Sequence, residues 1–199
     1  MAQDGVNMGR RRFLLATTGA LGAVGAVGVA IPFVRSWNPS EKARAVGAPT
    51  VVDVSKVRVG QLITEMWRGK PIYITRRSAE MMATLESDEA RRRLRDPDSR
   101  VQDQQPDWAV NDYRSRDESE LLILEGVCTH LGCAPTFAPD VRPQPYDPNW
   151  QGGFYCPCHG SRFDLAGRVY SDVPAPTNLV VPPYFIEDGI ATIGLEEAA

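Results

Sequence analysis

The four cysteines and two histidines of this 199-residue chain all fall between Cys128 and His159. They form two boxes, Cys128-Thr129-His130-Leu131-Gly132-Cys133 and Cys156-Pro157-Cys158-His159-Gly160-Ser161. Cysteines scattered through a core would not cluster this tightly. Each box offers a thiolate and an imidazole on a tight loop after a strand-like run, and two cysteines with two histidines make a metal-ligand inventory. Attachment of haem is excluded, because it needs two residues between its cysteines and only Pro157 separates Cys156 from Cys158. Zinc accepts the same ligand types, although its fingers usually pair cysteine with cysteine and histidine with histidine. Two cysteines are left over, and in an exported protein they could form a disulfide.

With 43% hydrophobic and 24% charged residues the chain is neither collagen-like, low-complexity nor wholly disordered. Its length suits one domain of ordinary size plus an appendage. A net charge of −3 and a pI near 5.5 argue against a nucleic-acid binder, which would carry a basic surplus.

The appendage is N-terminal. Residues 13–34, FLLATTGALGAVGAVGVAIPFV, carry no charge and are flanked by Arg10-Arg11-Arg12 and Arg35. As a helix they rise roughly 33 Å, enough to cross a hydrocarbon core of about 30 Å. Glycines at 19, 22, 25 and 28 would weaken a helix in water, whereas small residues are common where membrane helices approach closely. Arg10-Arg11 before Phe13-Leu14 resembles a twin-arginine export signal, a route that carries folded proteins and so fits a cofactor inserted before export. Gly28-Val29-Ala30 offers a cleavage site, so the segment reads either as a retained anchor or as a removed signal. Residues 35–50 mix Pro, Gly, Ala and charge with no hydrophobic period. They read as a tether reaching about 50 Å when extended, or as an irregular surface connection.

From residue 51 to 199 the pattern is strand-rich. Val51–Val54, Gln61–Trp67, Pro71–Thr75, Glu120–Val127, Gly153–Tyr155, Arg162–Tyr170 around Ala166-Gly167, Leu179–Ile186 and Ile190–Leu195 are β-branched or alternating runs bounded by turn residues. Ser78 to Arg95 is the one soluble helix expected, capped by Ser78, with Asp88/Arg92 and Glu89/Arg93 spaced to pair on a solvated face. Residues 113–120 and 141–150 read as surface loops. The expectation is an all-β domain of antiparallel sheets with one inserted helix.

Both boxes match, without a mismatch, those of the Rieske iron–sulfur proteins in the form carried by cytochrome bc complexes, C-T-H-x-G-C and C-P-C-H-G-S. The resemblance extends to the anchor, the linker, Trp67-Arg68-Gly69-Lys70-Pro71 and the proline-rich Pro174-Ala175-Pro176-Thr177-Asn178-Leu179 loop. It implies one [2Fe–2S] cluster with Cys128 and Cys156 on one iron and His130 and His159 on the other. It also implies a disulfide between Cys133 and Cys158, which soluble low-potential Rieske ferredoxins lack. Two neutral imidazoles in place of two thiolates make the cluster less negative and raise its potential. Oxidised iron withdraws charge from the imidazoles, so electron and proton uptake become coupled.

The implied function is that of the Rieske subunit of a bacterial quinol:cytochrome c reductase. It takes one electron from membrane quinol and passes it to a c-type cytochrome, while cytochrome b takes the second. His159, with His130, is the implied quinol contact, and Leu131 would lie over the cluster. Ser161 would donate its hydroxyl to a cluster sulfur. Two residues on, where high-potential relatives commonly carry tyrosine, this chain has Phe163, and Val173 stands before Pro174 where glycine is common. The implied arrangement has residues 1–12 in the cytoplasm, a single span at 13–34 in the bacterial inner membrane, a hinge at 35–50 and the head, 51–199, in the periplasm, within a dimeric complex and with no nucleic-acid partner. The competing reading is an exported zinc- or disulfide-stabilised binding module without redox function.

Overall fold

A computed structural model of the chain describes residue 5 and residues 7–116 and 120–197. It divides into two units, Met1–Ala45 and Val46–Ala199. In the first, helix α1 (Met8–Ser36) starts at Asn7, whose side chain accepts the Arg10 N–H at 3.1 Å. No residue of α1 is buried. A helix this long with an apolar, unburied surface has the length and composition to cross a membrane. The stretch expected to be irregular holds a second helix, α2 (Glu41–Val46). Ser40 caps it by accepting the Ala43 N–H at 3.2 Å, and Glu41 pairs with Arg44. Lys, Ala and Arg between them are good helix formers, a local preference that outweighed the flanking Pro and Gly.

Among the described residues, the second unit contains three antiparallel, three-stranded sheets. The first joins β1 (Thr50–Asp53) to the hairpin β8 (Tyr184–Glu187) and β9 (Ile190–Ile193), in the order β1-β9-β8. In the second, β2 (Leu62–Trp67), β3 (Lys70–Arg76) and β4 (Leu121–Glu125) follow one another. The third is β5 (Thr136–Ala138), β6 (Gly153–Tyr155) and β7 (Arg162–Phe163). The middle sheet lies between two cores. Alternation sends Ile72, Ile74, Leu121 and Ile123 to one face, where they meet Val52, Tyr184 and Ile193. Tyr73, Leu122 and Leu124 face the other way, against Phe154 and Phe163 of the third sheet. Strand β4 is therefore buried along its whole length, as its apolar run Leu121–Leu124 requires, and the buried Glu125 at its end pairs with Lys70 at 2.6 Å.

The helical insertion differs from the single helix expected. It breaks into α3 (Ala79–Leu85) and α4 (Asp88–Arg92), because Ser87-Asp88-Glu89 starts a new first turn. Ser78 does cap the first, accepting the Met81 N–H at 3.2 Å. Residues 93–95 leave the helix and pair with 169–171 through the Leu94–Tyr170 bridge. The charged run is also not simply a solvated face: Arg93 pairs with Asp147, and Arg91 with Asp98 and Asp112. Leu179–Ile186 is strand only from Tyr184, since Pro182 and Pro183 cannot donate to a ladder. The expected surface loops are corrected too. Trp150, Asp147, Arg114 and Ser115 are buried, and only residues 117–119 of that reading lie outside the described residues.

Arg77, Arg114 and Arg168 are fully buried. Arg77 donates to the carbonyls of Tyr113 (2.8 Å) and Leu165 (3.1 Å), and Arg114 to those of Ala166 and Gln104 and to the Gln105 side chain. Burial pulls both guanidinium groups down to about 10, so they remain charged at neutral pH. Burial acts the same way on Arg168, but the Asp164 and Asp112 carboxylates outweigh it and leave the group above its ordinary value. Its Nε sits 2.7 Å from Asp164. Together the three knit the turn after β7 to the insertion. Arg168→Met should cost about 3–5 kcal/mol, because Asp164 would stay buried without its cation. A denaturant titration of the full chain checks this, and a cost below about 1 kcal/mol would refute the role given to the pair.

Candidate metal centre

The two boxes leave the ends of β4 and β6 and fold into the same closed loop. In the first, the Cys128 N–H donates to the Cys133 carbonyl at 2.8 Å and the Gly132 N–H to the Cys128 carbonyl at 2.9 Å. In the second, the Cys156 N–H reaches the Ser161 carbonyl at 2.8 Å and the Gly160 N–H the Cys156 carbonyl at 3.0 Å. Gly132 and Gly160 have φ of 82° and 75°, left-handed values that explain a glycine at the fifth position of each box. The Tyr73 hydroxyl, from the middle sheet, donates at 2.9 Å to the Pro135 carbonyl just beyond the first loop.

Cys133 and Cys158 are joined in a disulfide with Cα atoms 6.7 Å apart, linking positions 25 residues apart in sequence. Cys128 and Cys156 remain free thiols and are buried. The sulfurs of Cys133, Cys156 and Cys158 lie within 4.8 Å of one another, but two are consumed in the disulfide and offer no thiolate. The imidazoles of His130 and His159 meet edge to face, with ring centroids 4.8 Å apart. His159 is exposed, as are Cys158 and Leu131, the last at 71%. The two free cysteines thus sit inward, His130 is half-buried and His159 lies outward.

Two features fit a metal group here. Nδ1 of His130 is buried without a hydrogen-bond partner, an arrangement that is costly unless the nitrogen serves as a ligand. Burial also pushes the Cys128 thiol up, with the Cys156 side chain adding to it, while the His130 main-chain N–H and the Ser161 hydroxyl pull the other way. A bound cation is what would favour thiolates in such a place.

Ser161 is fully buried and its Oγ accepts the Ala175 N–H at 3.1 Å. On the other side Thr129 donates to the Thr177 carbonyl at 2.7 Å. The loop from Pro174 to Asn178 therefore touches both boxes. Phe163 is fully buried in the cluster of side chains that includes Cys128 and Cys156, and Val173 belongs to the same cluster. Sequence reasoning missed the hydrogen bonds into the proline-rich loop; no residue pattern announces a bond to a carbonyl.

A family model described as the Rieske [2Fe-2S] domain matches residues 96–184, and one described as the ubiquitinol-cytochrome C reductase Fe-S subunit TAT signal matches residues 1–40. The ubiquinol-cytochrome c reductase iron-sulfur subunit of Allochromatium vinosum is 51% identical over 195 residues, covering 98% of this chain and 92% of that protein. The protein of the same name from Blastochloris viridis is 40% identical over 194 residues, covering 97% of each. Among solved structures, a chain of a hyperthermophilic respiratory complex III is 30% identical, with 88% of this chain and 97% of that one covered and a TM-score of 0.47.

Cys133→Ser should destabilise the second unit by about 2–5 kcal/mol, the usual cost of removing a native disulfide from a small domain. Thiol counting on the oxidised, unfolded full chain checks the pairing itself: two reactive thiols are expected, and four would remove it.

Proposed function

Because the chain belongs to the iron–sulfur subunits of ubiquinol-cytochrome c reductase, we propose that Cys128 and Cys156 hold one iron of its Rieske [2Fe–2S] cluster while His130 and His159 hold the other. The observation that carries this is the paired loop geometry, with two buried free cysteines behind two adjoining imidazoles. The unpartnered Nδ1 of His130 is the nitrogen we assign to iron, which leaves its other ring nitrogen for proton exchange.

The protein is the electron-transfer subunit of an oxidoreductase, and when bound the cluster supplies a one-electron acceptor for membrane quinol and a donor to a c-type cytochrome. The residues around it do the rest. His159, exposed at the tip, accepts the quinol's hydrogen bond and proton, with His130 beside it. Leu131 supplies an apolar contact next to them and limits water at the tip. Ser161 accepts from Ala175, so its own proton points away from that amide, on the side of the Cys128 sulfur, where it can be donated to a sulfur of the cluster. A zinc- or disulfide-stabilised module without redox function is not favoured, given relatives named throughout for the reductase.

The subunit works within a bc complex. Cytochrome b, a c-type cytochrome and membrane quinol are the partners we assign, in a dimeric assembly. The apolar N-terminal helix and the export-signal match fit a membrane-anchored subunit. We place residues 1–12 in the cytoplasm, the uncleaved anchor at 13–34 in the bacterial inner membrane, and the head, 51–199, in the periplasm. Residues 35–50 serve as the hinge, and tethering keeps the head concentrated near both partners.

His130→Ala, like replacement of Cys128, Cys156 or His159, should abolish the cluster; native iron content and spectrum in any of the four would overturn the ligand set. Ser161→Ala should lower the midpoint potential and Phe163→Tyr should raise it. A hydrogen bond to a charged acceptor is worth about 1.5–3 kcal/mol, and only its difference between redox states counts, so shifts below roughly 100 mV are expected. Redox titration of the membrane-bound protein reads both, and an unchanged or lower potential in Phe163→Tyr would refute the role given to that position.

A further inference from the structure

Arg95, just after α4, is exposed and has no carboxylate partner among the described residues. Its guanidinium instead donates to three main-chain carbonyls of one loop: Ala175 at 2.7 Å, Val173 at 2.9 Å and Ser171 at 3.0 Å. Its backbone is fixed as well, since its N–H donates to the Val169 carbonyl at 2.9 Å and Ser171 returns a bond to Arg93. A planar fork held in place this way can set the direction of the peptides it binds.

Between Pro174 and Pro176 only Ala175 has an N–H. That amide lies in the peptide flanked by the Val173 and Ala175 carbonyls, both on the same guanidinium. It donates to Ser161 Oγ at 3.1 Å. A hydroxyl oxygen that accepts from a fixed donor has its own proton turned away from that donor. We infer that Arg95 is a positioning residue for the redox centre: by clamping the Val173 and Ala175 carbonyls, on either side of the Pro174–Ala175 peptide, it aims the Ala175 N–H at Ser161, and so aims the Ser161 hydroxyl at a cluster sulfur. The inference rests on the role proposed above for Ser161, and adds to it the residue that enforces that role from outside the two boxes.

The test is a double-mutant cycle on the full chain in its membrane-bound complex, read as midpoint potential by redox titration. Arg95→Gln should lower the potential, by less than Ser161→Ala does. In a Ser161→Ala background the same change should add nothing, because the hydroxyl it would misdirect is gone. Amide exchange at Ala175 should be faster in Arg95→Gln. An equal drop in both backgrounds would mean that Arg95 acts by its charge alone and would overturn the inference, as would no drop in either. If Arg95→Gln fails to hold a cluster, Arg95→Lys carries the test: it keeps the charge without the fork, so its potential should still fall below wild type, and a wild-type value would overturn the inference. Should Ser161→Ala lower the potential while the Arg95 variants leave it unchanged, only this inference falls. Should Ser161→Ala itself change nothing, the reading of Ser161 falls and the Arg95 inference with it.

Discussion

The ligand set proposed above requires two loops from different strands to present four side chains at fixed separations, and neither loop has a helix or a sheet of its own to hold it. Each is closed by two backbone hydrogen bonds, from the first residue's N–H to the sixth residue's carbonyl and from the fifth back to the first. The Cys133–Cys158 disulfide then ties one closed loop to the other. That link brings the two loops together where His130 and His159 meet edge to face, with His159 open to solvent. A geometry preset in this way lowers the reorganisation that an electron-transfer centre must undergo, and it explains why exposed residues such as His159 and Leu131 can sit at the tip without costing order behind them.

Behind the loops the fold is arranged so that each box starts from a rigid strand. Strand β4 is buried on both faces between two apolar cores, and Cys128 follows it after only Gly126 and Val127. Strand β6 is paired on both sides and ends one residue before Cys156. The remaining support comes from arginines. Arg77, Arg114 and Arg168 use carbonyls and Asp164 to hold the turn after β7, and Arg95 holds the loop that follows. Carbonyl groups in such turns have no ladder partner, so a buried guanidinium with five donors satisfies several at once where a lysine would satisfy fewer.

The boxes, the apolar anchor and most strands were legible because each rests on a local pattern: rare residues at short spacing, an uncharged run, or alternation between turns. Thr136–Ala138 leaves no trace in the sequence because three residues give no period, and its pairing with β6 is decided by the rest of the sheet. The helix expected over 78–95 differs at two points: Ser87 interrupts a continuous charged pattern with a second start, and residues 93–95 pair with 169–171 instead of continuing the helix. Residues 41–46 form a helix that their Pro- and Gly-containing flanks hide, because the local preference of Lys, Ala and Arg decides it. The buried arginines were the least legible of all. Nothing separates Arg114 from the exposed Arg92 in sequence, because what buries it is a set of carbonyls from Gln104, Ala166 and Gly167 that only the folded chain brings together.

The departures from the family pattern acquire physical content once Phe163 and Val173 are placed. Both are buried in the same apolar cluster as Cys128 and Cys156, together with Leu122, Phe154 and Val169. An apolar wall of this kind disfavours added negative charge, since it offers no dipoles to turn toward it. It also leaves few groups able to donate a hydrogen bond to the buried sulfurs, and it excludes the water that would otherwise screen those few. Each remaining donor therefore acts with more leverage than it would in a wetter site. Ser161 is a buried hydroxyl beside Cys128, and its orientation is set by an amide whose two neighbouring carbonyls answer to one side chain at the surface. A residue lying outside both boxes is thereby in a position to control a property of the centre that the boxes alone leave open.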